Sequence, residues 1–376
     1  MPKTVAEIIE VFEDWAPAST AESYDNVGLQ LGSPADRVSR ALVSLDLTPD
    51  VADEAVDLGV DLVVTHHPPI FKPVRAIRAD DLVGSMLLRL ARSGIALVAA
   101  HTNLDAARGG VSYALADVLG LRDLTTLSPS TAATVKLATF VPASHVDAVA
   151  EAMSSSGGGR IGDYTECAFQ VTGSGRFRVP PDGNPAIGAP GSRAFVEEVR
   201  LEMEVERARI PGVVRALVEA HPYEEVAYDV VHLENPSTRT GMGVVGDLAA
   251  PRRIDDFVGF VAERLDAGGI RFSADSDAMI RRVAVCGGAG SSLVGAARRA
   301  GADVLVTGDV SYHRYFEAMM PDGSFAMALI DAGHYETERP AEQRIIERMA
   351  LLAKDVEWIR TSIRTNPVRY VGRDDR

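Results

Sequence analysis

A chain of 376 residues, 46% of them hydrophobic, is too long for one small core and suits two or three domains with ample apolar material to bury. Its formal charge of −15 disfavours nucleic acid and anionic membranes, which are bound through concentrated Lys and Arg, although a local pocket could still take a phosphate. Two distant cysteines, Cys167 and Cys286, exclude a disulfide framework or a thiolate zinc site, and there is no apolar run of about 18 residues to span a bilayer, so a cytoplasmic protein is expected.

The stretch MPKTVAEIIEVFEDWAP reads as an acidic amphipathic helix rather than a basic leader. Residues 40–46, RALVSLD, read as a buried strand, TPDVADEAVDLG as a helix opened by Thr48 and Pro49, and VDLVVTHH as the next strand. Helix DLVGSMLLRLARSG and strand IALVAAH follow. Such alternation implies parallel strands with crossover helices, whose ligands sit beyond the carboxyl ends of the strands. His66 and His101 lie at such ends.

The middle of the chain differs. Residues 154–193 are rich in Gly, Pro and Ser and read as hairpins and loops. Around them lie strand TVKLATFVP, helix SHVDAVAEAMSSS, strand FVEEVRLEMEVER, helix IPGVVRALVEAHP and strand VAYDVVHL. The β-α-β-β-α-β order predicts a ferredoxin-like α+β domain inserted over 130–235. Its His221, Tyr223 and Glu224 read as a structural turn.

The last hundred residues repeat the opening pattern. Residues 281–309 overlay 39–67 without a gap, placing Gly301 on Gly59, Asp303 on Asp61 and Thr307 on Thr65. ALVAAHTNLD and MALIDAGHYETE pair likewise, His101 with His334 and Asp105 with Glu338. The expected fold is therefore α/β: two pseudo-symmetric halves, 1–129 and 236–376, forming one metal-binding body around the insertion.

A dinuclear metal site needs about three to four donors per ion, from neutral imidazoles and carboxylates. His66, His67, Asp105, His334 and Glu338 supply them at the strand ends. Adjacent strand side chains point to opposite faces, so two neighbouring histidines suit two ions, with Pro68 holding His67 extended. Two ions roughly 3–4 Å apart are expected. Thr337 is placed to cap a helix whose first turn holds Pro340. CGGAGSS (286–292) fits either a phosphate cradle or a tight strand-to-helix turn. Asp309 and His313 read as cap residues that could line the cleft, and Asp25 and Asn26 as a turn.

The motifs YDNVGLQLG (24–32), THHPPIF (65–71), AAHTNLD (99–105), CGGAGSS (286–292), TGDVSYH (307–313) and DAGHYETE (331–338) resemble those of the Nif-three-like dinuclear metal-centre hexameric proteins, the GTP cyclohydrolase I type 2 homologues. The insertion is similar to that of the longer, CutA/PII-like members. The resemblance implies two divalent ions (zinc, iron, manganese, cobalt or nickel) on His66, His67, Asp105, His334 and Glu338, with Glu338 bridging. It implies a homohexameric toroid and a hydrolase acting through a metal-bridging hydroxide, with Glu338 catalytic and a nucleotide or phosphorylated small molecule as ligand; His101, as the symmetry mate of His334, is read as a catalytic proton shuttle or a partner behind the ligands. The alternative is a metal-handling or regulatory ligand-binding protein without turnover.

Overall fold

The computed structural model describes residues 2–131, 133–162, 164–182, 187–237 and 239–371. Its first helix, Val5–Trp15, begins where Thr4 accepts the Glu7 amide while the Glu7 carboxylate accepts the Thr4 amide, a reciprocal cap whose loss costs about 1 kcal/mol. It buries Val5, Ile8, Phe12 and Trp15, spaced at the helical repeat. By compactness the chain forms two units: Met1–Pro129 with Arg239–Arg376, and Ser130–Thr238.

The first unit holds a five-stranded sheet in the order Glu357–Arg360, Arg40–Ser44, Leu62–Thr65, Ala96–Ala99, Gly28–Leu31, parallel except for the last strand. Both faces are covered. Ala41 and Val43 pack with Ile8 and Phe12, whereas Leu42 packs oppositely with Val51 and Leu87. Double coverage is why these strands read as continuous apolar runs. A six-stranded sheet has the order Arg271–Ser273, Ala328–Asp331, Val304–Thr307, Met279–Val285, Gly241–Arg253, Arg122–Pro129, with only Met279–Val285, Val304–Thr307 and Ala328–Asp331 mutually parallel.

The chain exchanges elements between these sheets. Strand Arg122–Pro129 joins the second sheet, and Leu115 of helix Val111–Val118 lies in that sheet's core beside Phe257 and Val283. Conversely, strand Glu357–Arg360 joins the first sheet, and Ile345 and Met349 of helix Pro340–Leu352 lie in its core beside Ile8 and Val64.

The internal repeat also needs one adjustment. Thr65 lies beside Ala99, and Thr307 beside Asp331, so the ladder sets His101 level with Gly333 and Thr102 level with His334. The overlay of His101 on His334 is one residue out. His101 precedes helix Thr102–Ala106, whereas His334 opens helix His334–Glu338 after Gly333, whose φ of 95° suits a residue without Cβ.

Within the second unit, strands Thr134–Pro142, Ala168–Arg178, Arg193–Glu206 and Tyr228–His232 and helices Val146–Ser155 and Ile210–Ala220 follow the β-α-β-β-α-β order. The sheet order is Tyr228–His232, Thr134–Pro142, Arg193–Glu206, Ala168–Arg178, every neighbour antiparallel. Edge strand Ala168–Arg178 falls inside the Gly-rich stretch read as hairpins and loops, of which Gly183–Ala186 lie outside the described residues. Gly175 is required there because a Cβ would sit 1.8 Å from a Glu198 carboxylate oxygen. The polar turn is internally satisfied: His221 Nε2 donates to the Phe140 carbonyl, Nδ1 accepts the Tyr223 amide, and the Tyr223 hydroxyl donates to Glu198. Glu224, the third residue expected there, is exposed.

The insertion enters the first unit between paired strands, since Gly241 stands opposite Pro129 in the antiparallel register. Opposite residues of such a pair are about 5 Å apart, so a short turn can bridge them, and loop-closure entropy changes only logarithmically with length. Replacing 130–238 by a two- to four-residue turn should leave a folded first unit with unchanged metal content. Loss of cooperative unfolding, or of metal from a folded remainder, would show that the insertion completes the body.

Candidate metal centre

Strand Leu62–Thr65 extends its ladder by two bonds, the His66 amide donating to Ser44 and the His67 amide to Leu45. Strand alternation turns the two rings apart: the His66 side chain is 1% exposed and that of His67 26%. Helix Thr102–Ala106 presents Asp105, and helix His334–Glu338 presents its two end residues, at i and i+4, on one face.

Ring tautomers follow from the partners. His66 Nδ1 lies 2.8 Å from the Ala100 carbonyl, which can only accept, so in the neutral ring Nδ1 carries the proton and Nε2 is bare. That Nε2 faces Asp105 Oδ1 at 3.6 Å and Glu338 Oε1 at 3.8 Å. His67 Nδ1 donates to Asp46 at 2.7 Å and His334 Nδ1 to Asp309 at 2.8 Å. Their Nε2 atoms stand 3.4 Å apart and lie 3.0 and 3.1 Å from Glu338 Oε2. With every Nδ1 protonated, lone pairs face lone pairs across the centre. With the rings neutral, His66 Nε2, Asp105 Oδ1 and Glu338 Oε2 are three of the six buried side-chain polar atoms, among the described residues, that lack a hydrogen-bond partner. Such orphans cost about 1–3 kcal/mol each, so three converging on one point call for positive charge between them.

In the metal-free chain that charge comes from protons. Burial pulls His67 down, but hydrogen bonds to Asp46 and Glu338 and their charges outweigh it and raise it to about 10. His334 rises to about 9, its burial outweighed by Glu338 and then Asp309. Burial would raise Glu338, yet hydrogen bonds from His334, His66 and His67 hold it well below the usual carboxylate range. Asp105 goes up to about 7, through burial and the Glu338 charge against the opposing histidines. For His67 and His334 the sign is that of a raised base. Their contribution to metal-free stability is full below pH 6.5 and lost as pH rises through about 9 to 10. The Tm of chelator-treated protein should therefore fall between pH 7 and pH 10 and recover when metal is added; a flat profile would contradict the ion-paired cluster.

The ligand atoms form three groups that could hold a metal ion: His67, His334 and Glu338; His66, Asp105 and Glu338; and His66, His67 and His101. Glu338 belongs to the first two. His101 Nδ1 donates to Asp25 at 2.9 Å, and burial followed by the His66 charge lowers its pKa, favouring the neutral ring.

Three carboxylates behind the histidines were not singled out by the sequence in this role: Asp25, Asp46 and Asp309. Asp25 is more than a turn residue, because it also accepts the Thr102 amide and hydroxyl. Asp46 follows the end of its strand by two residues, and Asp309 is the repeat mate of His67; only their position at strand ends signals them. Asp309 has φ 53° and faces the cleft, whereas His313 is exposed against Tyr312.

CGGAGSS is a close-packed turn. The Gly288 and Gly290 amides are spent on the hydroxyls of Thr337 and Thr307. Thr337 does not cap the following helix: it donates back to Gly333 and His334 carbonyls, and helix Pro340–Leu352 starts from Arg339 without a side-chain cap. A cavity of about 570 Å³ opens beside His67 and His334, walled by Asp46, Asp309, Arg271, Tyr335, Asn366 and Tyr370.

The family model Duf34/NIF3 (NGG1p interacting factor 3) matches residues 3–367. The chain belongs to the DUF34/NIF3 family. Relatives called GTP cyclohydrolase 1 type 2 homolog include those of Halalkalibacterium halodurans, 38% identical over 97% of this chain and 98% of the relative, and of Bacillus subtilis, 37% identical over 94% and 93%. Among solved structures, a Bacillus cereus protein related to NIF3 superposes with a TM-score of 0.80 at 36% identity, covering 98% of this chain and 99% of its own. The mixed α/β fold with its several sheets is thus a NIF3-family fold. Among the described residues, no helix is long and apolar enough to cross a membrane.

Proposed function

We propose that this DUF34/NIF3 chain is a dinuclear metal-dependent hydrolase, with one ion on His66, Asp105 and Glu338, the other on His67 and His334, and Glu338 shared. The observation that carries the reading is the convergence of the unpaired His66 Nε2, Asp105 Oδ1 and Glu338 Oε2 with two further imidazole nitrogens. Outer partners already orient every ring: a backbone carbonyl for His66 and carboxylates for the other two. Divalent ions there would acidify water and polarise an electrophilic carbon or phosphorus centre. The donor set suits zinc, iron, manganese, cobalt or nickel alike.

His101 is the chain's own candidate to move a proton. Asp25 holds its Nδ1–H, and its depressed pKa leaves Nε2 free to accept near neutrality. The cavity beside His67 and His334 offers room for a small substrate, and the names of the relatives point to a purine nucleotide as the first to try. We place the chain in a homohexameric toroid, with the CutA/PII-like insertion regulating access.

Because His67 and His334 are protonated near pH 7 in the metal-free chain, loading should release protons. Calorimetric titration of stripped protein in buffers of different ionisation enthalpy should give two ions per chain with net proton release. Metal-loaded protein should then turn over GTP or a simple phosphoester, with rate lost on replacing His101 by Ala while metal content is kept. Two ions bound without turnover of any such ester or nucleotide would favour metal handling instead.

A further inference from the structure

The two trios are not built alike. His66 and Glu338, with side chains 1% and 4% exposed, are deeply buried, and His66 takes its orientation from a backbone carbonyl. His67 and His334 are more open, at 26% and 35%, and take theirs from carboxylates on the cavity side. After strand Glu357–Arg360, the chain runs past these carboxylates with no regular structure.

That terminal segment is pinned at points contributed by both halves of the unit. Ser362 donates its amide to Glu54 at 2.8 Å, and Arg364 pairs with Asp266 at 2.9 Å. Thr365, 8% exposed, donates its hydroxyl at 2.6 Å to Asp46 Oδ2, while Oδ1 of the same carboxylate accepts His67 Nδ1–H. Asn366 donates at 2.8 Å to Glu336 Oε1, and the Glu336 carboxylate packs against Gly333, where a Cβ would lie 2.2 Å from Oε2. Gly333 is the turn that delivers His334. Farther on, the Tyr370 ring covers Gly268 and Gly269 so closely that a Cβ on either would strike it, at 2.0 and 2.8 Å.

We infer that Thr365, on the strap 361–370 that passes the outer metal position, is a positioning residue acting on His67 through Asp46. The inference rests on the two-ion reading. A free carboxylate can rotate about its terminal torsion, and Thr365 fixes that rotation by occupying the oxygen His67 does not use. His66 of the inner trio takes its orientation from the Ala100 carbonyl and not from Thr365 or Asp46. Losing a partner bonded directly to a ligand, as Asp46 is to His67, weakens metal binding about 10- to 100-fold, and Thr365, one bond further out, should reach the lower end of that range at one position only.

The test is cobalt(II) titration of chelator-stripped full-length protein, followed by visible absorption and checked by elemental analysis. Wild type should take two equivalents. Thr365→Val should keep the first and weaken the second about 10-fold or more, with a changed absorption band. Thr365→Ser should restore it by returning the hydroxyl, and Ser362→Ala, which removes only the Ser362 hydroxyl bond to Glu54, remote from Asp46, should leave both equivalents as in wild type. If Thr365→Val takes both equivalents as wild type does, or if Ser362→Ala weakens them as much, the positioning role is overturned while the metal centre stands. A wild-type protein taking fewer than two equivalents overturns the two-ion reading and the strap's role together.

Discussion

Glu338→Ala should empty the centre, whereas Asp105→Asn should leave one ion in place. Glu338 is the carboxylate common to two trios, with Oε1 toward His66 and Oε2 toward His67 and His334. Its removal therefore takes a ligand from both positions at once. Because losing an outer partner already costs about 10- to 100-fold in affinity, losing the shared ligand should exceed about 100-fold for each ion. Elemental analysis after dialysis should find two ions in wild type, one in Asp105→Asn and none in Glu338→Ala. Glu338→Gln separates charge from shape. Holding the carboxylate below its usual range contributes stability at neutral pH that is lost as pH falls through the lowered value. The metal-free Gln variant should lack that acid-side loss and be less stable than wild type at pH 7. Two ions retained by Glu338→Ala would refute the shared-ligand arrangement.

Gly288→Ala should damage the centre from outside its ligand set. Gly288 has φ 59°, and a Cβ there would lie 2.0 Å from Glu338 Oε1 and 3.1 Å from His334 Nε2. The left-handed backbone alone costs a non-glycine residue about 1–2 kcal/mol. The clash must also push the Glu338 carboxylate off its position, so metal affinity should fall at least about 10-fold, the lower bound for disturbing a ligand's support. Gly301 provides the control: its φ is 69°, but a Cβ there meets nothing within 4 Å. Gly301→Ala should therefore lower Tm by a comparable backbone strain and leave metal content untouched. Equal metal loss in both variants would mean that global destabilisation, not the glycine's contact with Glu338, empties the site.

These outcomes depend on features that the sequence reveals unequally. His66, His67, Asp105, His334 and Glu338 stand out because each follows an apolar strand, where an α/β sheet presents its ligands. Asp25, Asp46 and Asp309 sit in equally suggestive turns, but their role depends on which imidazole arrives beside them. That pairing spans 76, 21 and 25 residues, and no local pattern encodes it. Thr337 illustrates the opposite error. A threonine shortly before a proline looks like a cap, yet the helix Pro340–Leu352 begins three residues later and the Thr337 hydroxyl is drawn back to Gly333. Edge strand Ala168–Arg178 was hidden by Gly173 and Gly175, which weaken strand propensity, although Gly175 packs closely against the Glu198 carboxylate. The repeat was visible through Gly301, Asp303 and Thr307, and its one-residue slip at His101 was not, because only the ladder register fixes it.

The exchange of strands and helices between the two sheets bears on how this chain is made. During synthesis the first sheet can assemble strands Arg40–Ser44, Leu62–Thr65 and Ala96–Ala99 early, but its edge strand Glu357–Arg360 and the helix Pro340–Leu352 that covers one face emerge only after the insertion. The nascent first half must wait with that face covered only in part, by helix Val5–Trp15, while the entire insertion is translated, a state prone to association. Pairings between residues about 300 positions apart, such as Leu42 with Ile359, also place this chain among slow, high-contact-order folders. Residues 340–370 close both the core and the cleft, so a chain cut before them should be one the cell can recognise as unfinished.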